Sequence, residues 1–285
     1  MDKRKYLFVG TRFFCVEKML ELNLDVSYAV IKDSIVANEL EKRNISCIEI
    51  KNKKHLIEII ENSDFDILIS NGCPYILPVS KLKKDNQLFI DIHPSLLPDL
   101  NGINPVNGAI LFDRPQGATC HLMDDGIDTG SIISQVKVCD TPDMPLDLLY
   151  QLSFLAEAEA FKKAYDKDFI VEKNIMNNKD DYIYYSRKLE DQIINSDDSL
   201  DLIMKKVKAF QLENQYARII RNDHIYYVKD LIKFNTFIFD NKNYNNNQII
   251  FIYKNNVITK YDDIYLLYRL DNVEQLNIGD MLLGS

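Results

Sequence analysis

At 285 residues, 46% apolar and 27% charged, the chain is long enough to bury one large core or two smaller ones and has the composition of an ordinary folded protein. A net charge of −9 and a pI near 5.0 exclude a global field that would draw it to phosphate backbones. No apolar run reaches membrane length and none reads as a signal peptide. The five cysteines (Cys15, Cys47, Cys73, Cys120 and Cys139) form no Cys-x-x-Cys pair, which predicts small core residues in a reduced, cytoplasmic protein.

Residues 6–9 form a short β-rich run broken at Gly10-Thr11 and followed by a helical stretch over 13–22, the opening of a β-α-β unit. Gly10 stands alone, so this is no dinucleotide fingerprint. Strands are predicted at 26–31 and 45–50, with a helix over 35–43 between them. Residues 56–62 read as a helix and 65–70 as a buried strand ending at Asn71-Gly72. An apolar loop with two prolines, Cys73-Pro74-Tyr75-Ile76-Leu77-Pro78, follows. Such alternation predicts an α/β fold with a doubly wound, mostly parallel, Rossmann-like sheet.

The stretch 88–128 carries the chemistry. Its apolar run ends in Asp91-Ile92-His93 and stops at Pro94, which cannot continue a central ladder, so His93 is placed at a strand end. Asp91 and His93, two apart, share one face of that strand. A second run, 118–123, empties into Asp124-Asp125-Gly126-Ile127-Asp128-Thr129-Gly130. Two strand ends bearing an imidazole and carboxylates resemble the way open α/β sheets build sites. His93 is suited to act as acid, base or electrophile, and Asp128 to accept a proton or orient the imidazole. Asp124 and Asp125 read from the residues alone as turn formers. Asp91, His93, His121 and Asp128 form a conceivable metal set, but no His-Glu-x-x-His motif or Cys/His cluster supports one, and no metal is expected.

After a strand at 132–138, residues 145–165 carry Leu148, Leu149, Leu152, Leu155 and Ala156 at helical spacing, a stripe predicted to pack into the core. The polar stretch 174–181 reads as a linker, giving domains 1–178 and 179–285, the latter a smaller α+β domain. It contains a helix over 199–210, β-rich runs at 217–231 and 249–268, and an asparagine-rich tip at 241–248. With 13 Lys and Arg against 15 Asp and Glu from 181 to 285, it is not a basic nucleic-acid module.

Three motifs carry a family resemblance: Ile92-His93-Pro94-Ser95-Leu96-Leu97-Pro98; Gly102-x-x-Pro105; and Gly117-Ala118-Thr119-x-His121-x-Met123-Asp124-x-Gly126-x-Asp128-Thr129-Gly130. They resemble the folate-dependent formyltransferases, in order and separation, with weaker similarity from Phe8 to about residue 165. The 71–78 loop, Lys208-Ala209-Phe210 and Gln215-Tyr216-Ala217 look most like the sugar-nucleotide branch. The resemblance implies transfer of formyl from N10-formyltetrahydrofolate to a primary amine through a tetrahedral intermediate. His93 and Asp128 match the family's histidine and aspartate. The pterin is expected against Pro74, Tyr75, Ile76 and Leu77 on one side and Leu122, Asp124 and Asp125 on the other.

Asp91 departs from the family pattern, which has an asparagine whose amide donates to the oxyanion. An ionised carboxylate donates nothing, and losing one such donor costs roughly 10²–10³ in rate. Either Asp91 works protonated, its pKa raised by Asp128 and burial, or the enzyme is slow or altered; turnover of wild type against Asp91→Asn separates these.

The amine expected is that of a dTDP-linked amino-dideoxyhexose for surface-glycan or O-antigen synthesis, with the 4-amino-4,6-dideoxyglucose favoured and the 3-amino sugar next. Gly10, Thr11, Arg12 and Asn71 are candidate substrate contacts. Tyr185, Arg187, Lys205, Lys208, Phe210 and Gln215 are candidates for the diphosphate and base. Alternatives are methionyl-tRNA as acceptor, a catalytically impaired sugar-nucleotide or folate binder, and a formate-releasing hydrolase. A homodimer is expected; nucleic-acid and membrane partners are not.

Overall fold

The computed structural model describes residues 2–138, 144–172, 182–235 and 243–284. The expected linker 174–181 and the 178/179 boundary fall outside the described residues, as do Cys139 and positions 241–242 of the asparagine-rich tip. Two compact units are present, within 1–109, 114–142 and 150–186, and within 110–113, 143–149 and 187–285.

The first unit is a seven-stranded sheet: β1 (Lys5–Gly10), β2 (Asp25–Ile31), β3 (Ile48–Ile50), β4 (Ile67–Asn71), β5 (Leu88–His93), β6 (Gly117–Leu122) and β7 (Ile132–Lys137). The order is β3-β2-β1-β4-β5-β6-β7. The five strands from β3 to β5 pair in parallel and β6 and β7 are antiparallel additions. Period-two alternation assigns the faces. Tyr6, Phe8, Ile67, Ile69, Ile90 and Ile92 pack with α1 (Phe13–Glu21), α2 (Ile35–Lys42) and α6 (Leu146–Asp166). Leu7, Val9, Leu68 and Phe89 pack the other face with α3 (Lys53–Asn62) and α4 (Val79–Leu82). The sheet is therefore covered on both faces, as the alternation of elements predicts. Full burial of each large apolar side chain contributes about 1.5–3 kcal/mol, and these two layers hold the unit together.

Local chemistry explains where the boundaries differ from the sequence reading. The strand expected at 45–50 begins only at Ile48, because Asn44 adopts φ 54° and the Ile45 N–H donates to Leu40 O, closing the end of α2. Helix α3 begins at Lys53 because the Asn52 side chain caps it, accepting from the His55 N–H. A helix not anticipated, α5 (Pro105–Leu111), starts on a proline, whose fixed φ and missing N–H suit a first helical position. In α6 the stripe is rotated: Leu148 and Leu155 are exposed, whereas Leu149, Ala156, Ala160 and Ala164 are buried.

The second unit holds helix α7 (Leu200–Ala209) and an antiparallel sheet of β8 (Ala217–Arg221), β9 (His224–Phe234), β10 (Ile249–Tyr253), β11 (Asn256–Tyr261) and β12 (Ile264–Leu270), ordered β10-β11-β12-β9-β8. The run predicted at 217–231 is a hairpin turning at Asn222-Asp223, both with positive φ, the backbone a two-residue turn requires. Ile203, Val207 and Phe210 pack with Ile219, Val228, Leu266 and Tyr268 to form this unit's core. No helix among the described residues is long and apolar enough to cross a membrane.

Candidate active site

The sheet reverses its winding between β1 and β4, which opens a crevice at the carboxyl ends of the parallel strands. Gly10 ends β1 there with φ 150°, and a β-carbon on it would lie 2.0 Å from Asn71 O. Only glycine lets β1 pass so close to β4. The Thr11 N–H and hydroxyl donate to Asn71 O and Gly72 O, 3.1 Å each. The fully buried Asn71 amide donates to Ile92 O at 3.0 Å and locks β4 to β5. Gly10, Thr11 and Asn71 thus shape the crevice floor through backbone contacts.

A cavity of about 560 Å³ opens over this floor. Among the residues expected to meet cofactor, Pro74, Tyr75, Ile76, Leu77 and Asp124 line it. Leu122 and Asp125 do not: the Leu122 carbonyl accepts from His121, and Asp125 accepts from the Ser80 N–H at 3.0 Å, the Ser80 side chain first and that N–H second holding its carboxyl below the usual range. Asp124 accepts from Gly126 N–H and the Thr129 hydroxyl, the turn-forming part its sequence context predicts.

Asp91 and His93 do share a face of β5, and both line the cavity. Asp128 arrives differently from the strand-end arrangement expected. Strand β6 runs antiparallel, so its end Leu122 pairs with Ile90 and the following loop must fold back to reach His93. Gly130 permits that return, since a β-carbon there would sit 1.7 Å from Leu122 O. Asp128 takes φ 54°, a conformation aspartate tolerates, and its Oδ2 accepts from the Gly102 N–H at 2.8 Å. That oxygen lies 3.5 Å from His93 Nδ1. His93 Nε2 is 3.0 Å from Leu100 O; because a carbonyl only accepts, the proton is assigned to Nε2, leaving Nδ1 toward Asp128.

His121 is the direct cross-strand partner of Asp91. Its Nδ1 donates to Leu122 O at 2.8 Å, and its Nε2 lies 3.5 Å from Asp91 Oδ2 and 3.9 Å from Asp128 Oδ1. Burial pushes the Asp91 carboxyl up, but His121 and Ser70 outweigh it and hold Asp91 below the usual carboxylate range. Burial likewise opposes a charged His121, yet Asp91 and Asp128 raise it overall. The direction for Asp91 is opposite to the rise expected from Asp128 and burial, because the facing imidazole outweighs both. Asp91 is ionised and cannot donate a hydrogen bond.

Tyr150, Tyr184 and Glu157 are among the cavity residues not anticipated. Glu157 is 1% exposed, and neither carboxyl oxygen has a hydrogen-bond partner. Arg12 Nε is 3.7 Å away, and its guanidinium lies 3.8 Å over the Phe154 ring. Burial pushes Glu157 up to about 8, with Arg12 and Asn71 opposing and Asp91 adding to the rise. A glutamate on the apolar side of a predicted helix was the signal available in the sequence. Because the folded state holds this proton between about pH 4.5 and 8 and the unfolded chain does not, wild type loses stability as pH rises through that window. Glu157→Gln removes the effect. Its stability advantage is expected to grow by about 1.4 kcal/mol per pH unit at most across the window, read from denaturant midpoints at pH 5 and pH 8.5.

The remaining candidates are spread over the two units. Tyr185 is buried in the first unit, its ring edge close to Gly108. In the second, Arg187 donates to the Gln215 side chain, Lys205 pairs with Asp113 and Asp201, and Lys208 is half-buried in the last turn of α7. Phe210 is wholly buried in that unit's core and presents no ring face to a base. Of the four described cysteines, Cys15 and Cys120 are the buried core residues expected, Cys47 is exposed, and burial pushes the Cys73 thiol up to about 11.

Residues 27–164 match the family model described as formyl transferase. Over 99% of its length the chain is 24% identical to the methionyl-tRNA formyltransferase of Finegoldia magna, covering 97% of that protein. It is 32% identical to the corresponding Buchnera aphidicola enzyme, an alignment covering 59% of this chain and 55% of the relative. In structure it is similar to an N-formyltransferase from Helicobacter canadensis in complex with folinic acid and dTDP-3-aminofucose, with TM-score 0.71, 21% identity, and coverage of 94% of this chain and 99% of that one. A 4-N formyltransferase from Francisella tularensis is similar at TM-score 0.64 and 22% identity, over 77% of this chain and 93% of the other. His93 and Asp128, which face each other across the switch-point crevice, both fall within residues 27–164, the stretch of the chain that matches the formyl transferase family model.

Proposed function

We propose that this protein transfers formyl from N10-formyltetrahydrofolate to the amine of a dTDP-linked amino-dideoxyhexose, the 4-amino sugar favoured and the 3-amino sugar next, in surface-glycan synthesis. The observation carrying this reading is the His93–Asp128 pair at 3.5 Å, opening onto a cavity with an apolar wall. The fold shared with the Helicobacter canadensis N-formyltransferase, described in complex with dTDP-3-aminofucose, supports the acceptor class. The cofactor fits the residues present: Ile76 and Ile127 line the cavity yet are 57% and 37% exposed, an apolar surface a flat ring system would cover. Pro74, Tyr75 and Leu77 complete that wall.

When bound, the cofactor supplies an activated one-carbon unit. The protein's part is to manage one proton and one developing negative charge. With Nε2–H pinned on Leu100, His93 presents Nδ1 beside Asp128, and a proton taken from the acceptor's ammonium rests between imidazole and carboxylate. The resulting imidazolium, with both N–H groups held by Leu100 O and Asp128, places a positive charge near the oxygen on which negative charge develops. Asp91, ionised, takes no part as a donor and instead orients His121.

A panel of nucleotide-linked amino sugars, each offered with N10-formyltetrahydrofolate and followed by mass spectrometry, tests the reading: one member is expected to gain a formyl group. Likeness to methionyl-tRNA formyltransferases supports a second reading, so charged initiator tRNA belongs in the panel. Formylation of the tRNA alone would replace the sugar reading. We also propose a homodimer through the second unit's sheet, where the cross-strand pair Ile220 and Ile225 is exposed. Sedimentation as a monomer at micromolar concentration would remove it.

A further inference from the structure

Arg12 is the only lysine or arginine among the described residues that line the cavity, and it shares that lining with Asp91, Asp124, Asp128 and Glu157. A nucleotide-linked acceptor brings an anionic diphosphate, which carboxylates repel and a guanidinium holds. What Arg12 faces therefore decides whether its charge is available to a ligand.

The Arg12 side chain is 31% exposed and is held on three sides. Its guanidinium lies 3.8 Å over the Phe154 ring, and its Nε stands 3.7 Å from Glu157. Gly72 makes room for it, since a β-carbon there would sit 3.2 Å from that Nε. Phe154 and Glu157, three apart on α6, share a helix face and grip the guanidinium together. A charged pair in contact closes to about 2.7–2.9 Å. This one is open: the Arg12 Nε and both Glu157 oxygens are buried without a hydrogen-bond partner.

The groups facing Glu157 are Arg12, Asn71 at the end of β4, Asp91 on β5 and the Cys15 thiol on α1. Burial dominates and Asp91 adds to it, so Glu157 keeps its proton below about pH 8. Stacking on Phe154 cancels no charge, and a guanidinium stays protonated throughout.

We propose that Arg12 anchors the diphosphate of the acceptor and that Glu157 is its positioning residue. Neutral, Glu157 steers the guanidinium without cancelling its charge; ionised, it closes on the guanidinium and draws it from the ligand. This rests on the nucleotide-linked acceptor proposed above, and the first titration checks that acceptor class by itself.

The probe is dTDP alone, titrated into the full chain by calorimetry at pH 7.5 and pH 9.0, a range over which its phosphates keep their charge. Wild type is expected to bind it about fivefold more weakly at the higher pH. It should also take up a fraction of a proton on binding at pH 8.5, read from heats in buffers of different ionisation enthalpy. Glu157→Gln, neutral at every pH, should lose both the weakening and the proton uptake, which a merely structural role would not produce. Arg12→Gln should weaken dTDP at least about 10-fold at pH 7.5 and leave folinic acid, titrated separately, within about threefold. Thermal melts confirm that both variants are folded. Wild type that does not bind dTDP removes the nucleotide-linked acceptor and this inference with it. Binding of dTDP that survives Arg12→Gln, a wild-type affinity as flat with pH as that of Glu157→Gln, or a loss confined to folinic acid overturns the inference and leaves the acceptor class standing.

Discussion

His93→Gln is expected to lower the rate of formyl transfer by about 10²–10⁴ with little change in the KM for either substrate. Glutamine retains an N–H donor able to reach Leu100 O, so the loop that His93 anchors stays in place. What disappears is the second nitrogen, the one facing Asp128 at 3.5 Å, and with it the means of passing a proton between amine and carboxylate. Steady-state kinetics on the accepted sugar, with a thermal melt as control, read the result. A rate within threefold of wild type would mean that the proton leaves by another route.

Asp128→Asn should cost about 10²-fold or more in kcat by a separate mechanism. Asparagine tolerates the left-handed backbone that residue 128 adopts, and its side-chain oxygen still accepts from the Gly102 N–H. The fold-back of the 123–131 loop is therefore preserved, and the change falls on charge alone. Without the carboxylate, an imidazolium at His93 loses its counter-charge and the ammonium loses its proton acceptor. Neither substitution repairs the other, because the two residues act as one unit. The double variant should be about as slow as the slower single variant rather than the product of both losses. Multiplicative losses in that double variant would show that the two residues act independently.

The pairing of Asp91 with His121 bears on both results. A carboxylate at residue 91 places negative charge close to the reacting centre, and the facing imidazole compensates for it. Considered alone, Asp91 is an impaired donor; considered with its cross-strand partner, it is half of an ion pair.

Much of this was legible in the chain. Pro94 after Leu88–His93 marked the strand end, period two put Asp91 and His93 on one face, and the apolar runs separated by helical stretches announced a sheet covered on both sides. Helix and strand boundaries also followed local rules, once the capping side chains of Asn52 and Ser34 are taken into account.

Three things depended on long-range contacts. The register of β5 against β6 decides that His121 faces Asp91, and nothing within either strand encodes that pairing. The fold-back of the loop carrying Asp128 depends on Gly130 meeting Leu122, a contact between backbones eight residues apart that no periodicity reveals. Burial of Glu157 beside Arg12 joins α6 to the end of β1, and only that burial moves its proton into the physiological range. Composition and periodicity report which side chains avoid water and which backbone shapes are available locally. Which two charged groups end up 3.5 Å apart is settled by strand order and register, which follow from the packing of the whole sheet.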